Sequence, residues 1–231
     1  MPAQVPSSTQ VAEAIAEHLD GVFAEVLTLR DELASLVAQA PLQSLRTADL
    51  GGIRLGLQRR LTGQLGLVRG MGVVTVPGLF VDQPRWIEWW RWEHDRPEQT
   101  EFQLDPESLD YYDYTRADWF LIPHRADHRS IVGPYVDFWG VNHYILTLTT
   151  PVLVGRRFVG VAGADLRVDE VERRLYRALR GMDGDLVLVN EANRVVGSKS
   201  ARWLAGSVLR GHAVRERVPV PGWPWQLVRL G

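Results

Sequence analysis

Residues 86 to 92 combine tryptophan rings with a carboxylate, a combination that suits the binding of a cation. The segment RWIEWWRWEHD holds four of the nine Trp residues of the chain. If it forms a strand, Trp86, Glu88, Trp90 and Trp92 share one face, and the odd-numbered residues take the other. Ring faces attract a cation and the acid neutralises it. The sequence thus predicts a cation-binding wall; the alternative is core packing, with Glu88 paired to an arginine.

A second aromatic group follows in the sequence YYDYTRADWF, residues 111 to 120. Tyrosine and tryptophan are large, rigid side chains with a hydrogen-bond donor at the tip, and they often line small-molecule sites. The segment is therefore a candidate wall of a ligand site. The ordinary lid of a hydrophobic core is the alternative.

The centre of the chain is predicted to form a β-hairpin that ends at an acid. Two apolar runs, YILTLTTPVLV and RFVGVAGADL, are joined by Gly155 and Arg156, and aliphatic and β-branched residues favour strands. Asp165 stands where the second strand gives way to a helix, so it is either a helix cap or a carboxylate that faces a ligand. The preceding GPYVD adds Tyr135 and Asp137.

The residues that could perform catalysis are sparse. The chain has no cysteine and no GxSxG sequence, so a nucleophile with its base is not evident. His124 and His128 with Asp127 lie in a predicted loop without a second ligand cluster, which disfavours a metal site. Asp137 and Asp165 could act as an acid–base pair only if one pKa were raised. We therefore expect a binding protein without metal or cofactor.

Composition and charge limit the classes of partner and the cellular location that we expect for this protein. The 231 residues carry 26 basic and 28 acidic side chains, a net charge of -2, and no basic block, which argues against nucleic acid. No apolar run approaches the roughly 20 residues that span a bilayer. The N-terminus lacks the pattern of a signal peptide. A complete chain is expected to be cytoplasmic, whereas a domain excised from a membrane receptor would be extracytoplasmic.

The first part of the chain is predicted to be helical. A helix from Ser8 or Thr9 to about Gln39 carries apolar residues at spacings of three and four, a stripe that either covers a core or forms a homodimer seam. A second helix is predicted from about Thr47 to Leu67, weakened by five glycines. The predicted division is a helical region over residues 1–68 and a ligand-binding domain over residues 69–231.

Strands dominate the remainder. Short apolar runs follow Gly70, a helix is predicted from Val168 to Gly181, and Glu191 to Asn193 is the turn of a further hairpin. A short helix over about Ser200 to Leu209 and two last strands are expected to complete the same sheet. The fold class is therefore α+β with an antiparallel sheet.

The run from Trp119 through GPYVD and ILTLTTPV to GVAGADL, behind a long N-terminal helix, resembles the Cache family of sensor domains. The resemblance covers the chain from about Val11 to the last strand. It implies a long N-terminal helix packed on a PAS-like antiparallel sheet. It also implies a ligand-sensing module of bacterial receptors, with no catalytic activity of its own.

The branch of double Cache domains that binds amino acids uses Tyr, Arg, Trp and an aromatic residue, then Tyr-x-Asp and a distant Asp. The matching residues here are Tyr112, Trp119, Phe120, Tyr135, Asp137 and Asp165. In that branch the carboxylates hold the ammonium group of the ligand, and the Arg and Trp hold its carboxylate. The Arg position is Ala117 in this chain. Arg116 would face the opposite side of a strand and is a poor substitute.

The resemblance and the missing arginine together suggest a ligand class. A buried ammonium beside Asp137 and Asp165 would be paired, whereas a carboxylate would meet two acids and no cation. We therefore predict a small amine (a polyamine, monoamine or quaternary amine), with Glu88 and the Trp wall holding a second cationic group. An amino acid is the alternative. Protein partners are an unidentified signalling protein and, through the first helix, a second copy of the chain.

Overall fold

The structure, a computed structural model, describes residues 5–41, 44–63, 66–126, 128–137 and 143–231, apart from the side chains of Asp137 and His143. Its helices are α1 (Ser8–Gln39), α2 (Gly51–Gly63), α3 (Asp118–Ala126) and α4 (Val168–Ala178). Its strands are β1 (Val68–Thr75), β2 (Ile87–Glu93), β3 (Arg96–Gln99), β4 (Ser130–Asp137), β5 (His143–Val154), β6 (Arg157–Arg167), β7 (Leu186–Val189), β8 (Val195–Ser198), β9 (Val214–Pro219) and β10 (Gln226–Leu230). Within the described ranges, none of these helices has the length and hydropathy needed to cross a membrane.

Helix α1 begins and ends where the sequence predicts. The Ser7 hydroxyl accepts from the Gln10 backbone N–H at 3.2 Å, and the Gln10 side chain accepts from the Ser7 N–H at 2.8 Å, which forms a capping box. Its apolar stripe is buried and includes Val11, Leu19, Val22, Val26, Leu29, Leu33 and Val37. The stripe packs against both sheets, so it covers a core, as one of the two interpretations predicts.

Six strands form the larger sheet, in the order β3-β2-β1-β6-β5-β4, and every pair is antiparallel. The predicted hairpin is confirmed as β5 and β6, and Gly155 takes the left-handed conformation in its turn (φ 62°). The α+β class with an antiparallel sheet is also confirmed. Asp165 lies within β6 rather than at a helix cap, because the cap of α4 is Arg167.

The last strands form a sheet of their own, in the order β8-β7-β10-β9. The prediction that they complete the first sheet is therefore wrong. The predicted helix over Ser200 to Leu209 is also wrong, since this segment folds back along β8: Val195 N–H donates to Ser207 O at 2.8 Å, and Leu209 N–H donates to Asn193 O at 2.9 Å. The predicted turn before β8 is present, with Asn193 in the left-handed region (φ 54°).

Two boundaries in the first half also differ from prediction. The second helical stretch starts with a 3₁₀ turn at Thr47–Leu50 and ends at Gly63 instead of Leu67. The segment after Ala117 forms α3, where a strand and loop were expected, because Tyr114–Arg116 is a 3₁₀ turn that leads directly into the helix. The division at residue 68 stays a prediction, and one hydrophobic core includes residues from both sides of it.

Truncation of the α1 stripe should weaken the whole fold. Leu33 is 0 % exposed, so Leu33→Ala should lower the free energy of unfolding by about 2–5 kcal/mol through lost burial and the cavity left behind. Leu55 in α2 is 62 % exposed, and Leu55→Ala should change the free energy of unfolding by less than about 0.5 kcal/mol. Urea denaturation followed by circular dichroism measures both, and equal effects would contradict the assignment of the stripe to the core.

Candidate functional site

A cavity with an open mouth lies on one face of the six-stranded sheet. It contains about 370 Å³ of empty space, counted out to its open mouth. Strands, α3 and the segment before it all contribute to its lining, which consists of Val74, Ile87, Trp89, Arg91, Phe102, Tyr112, Trp119, Tyr135, Ile145, Thr147 and Asp165. A mainly aromatic wall with one acid and one guanidinium can bind a small charged organic molecule.

The acid of the cavity is held in place by a chain of hydroxyl groups. Asp165 is 5 % exposed, and its Oδ1 accepts a hydrogen bond of 2.7 Å from the hydroxyl of Thr147, its register partner on β5. Thr147 has a single hydroxyl proton, which goes to the carboxylate, so Tyr135 donates in the 2.5 Å contact between Tyr135 and Thr147. These two hydrogen bonds hold a buried carboxylate in the lining of the cavity.

The aromatic segment before α3 is fixed by Tyr114, a residue that the sequence did not single out. Tyr114 is fully buried, and its hydroxyl donates to the backbone carbonyl of Thr75 at 2.8 Å. Burial raises the pKa of Tyr114, so the hydroxyl stays a donor. Two residues earlier, Tyr112 stacks on Phe102 with 5.6 Å between ring centroids. Tyr114 thereby holds this segment against β1, where Tyr112 and Phe102 close one side of the cavity.

Helix α3 places its first two aromatic residues differently. Trp119 lines the cavity, as predicted from its position. Phe120 does not: it is 3 % exposed and packs edge-on against Tyr114 and Phe158 in a hydrophobic cluster behind the wall. The prediction that Phe120 contacts a ligand is corrected, because consecutive residues of a helix point in directions about 100° apart rather than into one cavity.

The predicted wall on β2 faces away from the cavity, which corrects the assignment of Trp86, Glu88 and Trp90 to the ligand site. Helix α2 covers that face, and Glu88, with no exposed side-chain surface, accepts from Arg54 Nη2 at 2.9 Å. The indole N–H groups of Trp86 and Trp90 donate to the same carboxylate at 3.1 and 2.7 Å, and Gln99 is its fourth partner residue, at 3.1 Å. Glu88 is therefore the centre of a structural network, as the alternative interpretation predicts.

The opposite face of β2 supplies the residues that sequence reasoning missed. Ile87, Trp89 and Arg91 line the cavity, and Arg91 is 5 % exposed. The expectation of a cavity without a guanidinium is therefore wrong. Strand alternation had already separated this face from the other, but a sequence does not show which of two faces a distant helix will cover.

Other residues that the sequence singled out are His124, Asp127 and Asp137. Asp137 is the last residue of β4, and its side chain lies outside the described part of the chain. Asp127 lies outside it too. His124 stacks on Phe158 with 4.2 Å between ring centroids.

Among the described residues, metal-type ligands come together at Glu93, His94 and Glu98 on the β2–β3 turn. Their carboxylates already pair with arginines: Arg69 contacts Glu93 at 2.8 Å, and Arg96 contacts Glu98 at 2.8 Å.

Comparison with family models and with curated protein sequences gives no match, whereas comparison with solved structures does. The extracellular domain of mmHK1S-Z3, a protein described as a histidine kinase, superposes with a TM-score of 0.74 at 14% identity, over 97% of this chain and 91% of that one. The chain has the Cache fold. The predicted resemblance is thus confirmed at the level of the fold.

Two chemoreceptor domains share this Cache fold and were solved with ligands. The ligand-binding domain of the Pseudomonas aeruginosa amino acid chemoreceptor PctC, in complex with GABA, has a TM-score of 0.61 at 18% identity, covering 96% of this chain and 95% of that chain. The Campylobacter jejuni chemoreceptor Tlp3, in complex with L-norvaline, has a TM-score of 0.62 at 11% identity, covering 96% and 88%. Likeness at such low identity extends to the fold alone.

Removal of the Glu88 carboxylate should destabilise the protein. Glu88→Ala leaves Arg54 and two indole donors without their acceptor, and breaking a buried pair costs about 3–5 kcal/mol of unfolding free energy. The matched control is Glu98→Ala, since Glu98 pairs with Arg96, whose side chain is 74 % exposed, and a surface pair contributes little to stability. Chemical denaturation compares them; similar losses for both variants would contradict a structural network at Glu88.

Proposed function

We propose that this chain is a sensor domain that binds a small ammonium-bearing ligand in the cavity of the six-stranded sheet. The observation that carries the proposal is the buried Asp165 carboxylate, oriented by Thr147 and Tyr135. An ammonium group is a donor of opposite charge, so pairing with Asp165 offsets the loss of water around both groups. Trp119 and Tyr112 supply ring faces that favour a cation further.

Arg91 in the same cavity favours a zwitterion over a simple amine. Gly70 on β1 is the register partner of Arg91 on one side and of Asp165 on the other, so the two charged residues flank one glycine. A ligand with both an ammonium and a carboxylate group matches both charges, whereas a polyamine or quaternary amine would bring a cation toward a guanidinium. GABA and L-norvaline, bound by the two chemoreceptor domains, carry both groups. We therefore propose an amino acid as the ligand class.

The proposed output is a change in the surface offered to a signalling partner. Asn190, directly after β7, donates to the carbonyl of Gly133 at 3.0 Å, two residues from Tyr135 in the cavity wall. This contact joins the ligand site to the second sheet, which supports transmission of binding along β4. By analogy with the extracellular domains that share the fold, we propose an extracytoplasmic location, with pairing of two copies through α1 as a further proposal.

The carboxylate of Asp165 should be required for binding. Isothermal calorimetry of the wild-type chain against L-amino acids, GABA, monoamines, polyamines and choline identifies the class bound. Asp165→Asn keeps the shape but removes the charge, and should weaken binding by about 2–5 kcal/mol. Asp169→Asn is the control, because Asp169 is exposed and pairs with Arg167 on the surface. Equal binding by wild type and Asp165→Asn would overturn the proposal.

A sensor should be stabilised by its ligand without consuming it. A compound present at 100 times its Kd should raise the free energy of unfolding by about 2.7 kcal/mol. Proton NMR of the same sample, recorded over hours, should find the compound unchanged. Turnover of the compound would instead assign an enzyme.

A further inference from the structure

Within the described part of the chain, the indole N–H of Trp89 is a buried donor without an acceptor. Trp89 is 5 % exposed and lines the cavity. Its Nε1 is inaccessible and has no hydrogen-bond partner in the described part of the chain. Six side-chain nitrogens in the described part of the chain are buried and unpaired, and of these only Trp89 Nε1 belongs to a residue that lines this cavity, so a ligand bound there is the candidate for its acceptor.

Glycines determine where this indole lies. A Cβ atom at Gly72 would lie 2.6 Å from Trp89 Cε3, and one at Gly163 would lie 3.5 Å from Trp89 Cη2. A Cβ atom at Gly70 would lie 2.7 Å from Trp89 Nε1. The ring therefore rests across β1 and β6, where side chains are absent, and its N–H end lies over Gly70.

Gly70 is also the point between the two charged residues of the cavity. Its register partners are Arg91 and Asp165, whose Cα atoms are therefore about 10 Å apart, two strand spacings. The hypothetical Cβ of Gly70 would lie 3.0 Å from Arg91 Cγ as well as 2.7 Å from Trp89 Nε1. The indole N–H and the stem of Arg91 thus meet above the same glycine, one strand away from Asp165.

We propose that Trp89 Nε1 is a ligand-binding donor that, beside Arg91, receives the anionic end of the ligand whose ammonium group Asp165 holds. This inference rests on the proposed function and assigns a residue to it. The resemblance implies an arginine in the segment before α3, where this chain has Ala117. In the proposed arrangement, residues of β2 bind the carboxylate of the ligand instead. Trp89 would favour ligands that carry a hydrogen-bond acceptor at that end.

Paired probes test the role of Trp89. GABA is compared with n-propylamine, and L-norvaline with n-butylamine, since each amine is the amino acid without its carboxylate. Trp89→Phe keeps an aromatic ring on the glycine floor but has no N–H. Because a hydrogen bond to a charged group is lost, its Kd for the amino acid bound by wild type should rise about 10- to 100-fold. The Kd for the matching amine should change less than about threefold.

Trp203→Phe is the matched control. Trp203 also has a buried Nε1 without a hydrogen-bond partner in the described chain, but it lies by the second sheet, with its ring edge-on to His212 at 4.5 Å. Trp203→Phe should leave the affinities for the amino acid and for the matching amine unchanged. If Trp89→Phe weakens amino acid and amine equally, or neither, the inference is overturned while the proposed function stands. If wild type binds no compound of the calorimetric screen, both fall.

A measurement on the wild-type protein covers the case of an unstable variant. With ¹⁵N-labelled tryptophan, each indole N–H gives one resonance, and that of Trp89 is identified by its absence in Trp89→Phe or, if that variant does not fold, in Trp89→Tyr. The amino acid should move this resonance downfield, as expected for a new hydrogen bond, and the matching amine should not. An unmoved resonance at saturation with amino acid would overturn the assignment.

Discussion

The ion pair between Arg54 and Glu88 determines the orientation of β2, and the cavity depends on that orientation. Glu88 gathers a guanidinium, two indole donors and an amide on the face that α2 covers. A carboxylate removed from water needs partners of this kind, since an unpaired charge in the interior is strongly unfavourable. Once this face is buried under α2, strand alternation turns Trp89 and Arg91 toward the cavity. A shift of one residue would exchange the two sets.

The floor of the cavity depends on the absence of side chains. Gly70, Gly72 and Gly163 lie under the ring of Trp89, and a Cβ at Gly72 would lie only 2.1 Å from the carbonyl oxygen of Glu88. A large indole can lie flat on a sheet only where its neighbours are this small. Glycine weakens a strand, so the stability of β1 here depends on its pairing with β2 on one side and β6 on the other.

Local signals in the sequence were sufficient for the elements whose partners are near in the chain. The start of α1 is predicted at Ser8 or Thr9 from the Ser/Thr residues there, and the β5–β6 hairpin is predicted from Gly155 between two apolar runs. Tyr112, Trp119, Tyr135 and Asp165 were found by resemblance and do line one cavity. Their contact with a ligand remains a prediction.

The parts that could not be predicted depend on distant partners. Arg54 and Glu88 are 34 residues apart, so nothing around β2 indicates that its tryptophan-rich face is the covered one. Alternation defines two faces without saying which of them faces the cavity. In the same way, the apolar pattern of β9 and β10 identifies strands but not the sheet they join, and their pairing with β7 creates a second sheet.

The placement of the charges also bears on how binding would be signalled. Arg91 and Asp165 lie on interior strands of the six-stranded sheet, where backbone hydrogen bonds on both sides hold their spacing fixed, so the sheet can act as a rigid gauge for ligand length. Tyr135 lies on β4, at the edge of the same sheet, and Tyr112 lies in the segment between β3 and α3. These elements have fewer partners to rearrange. The Asn190–Gly133 hydrogen bond then connects β4, the edge strand of this sheet, to the second sheet.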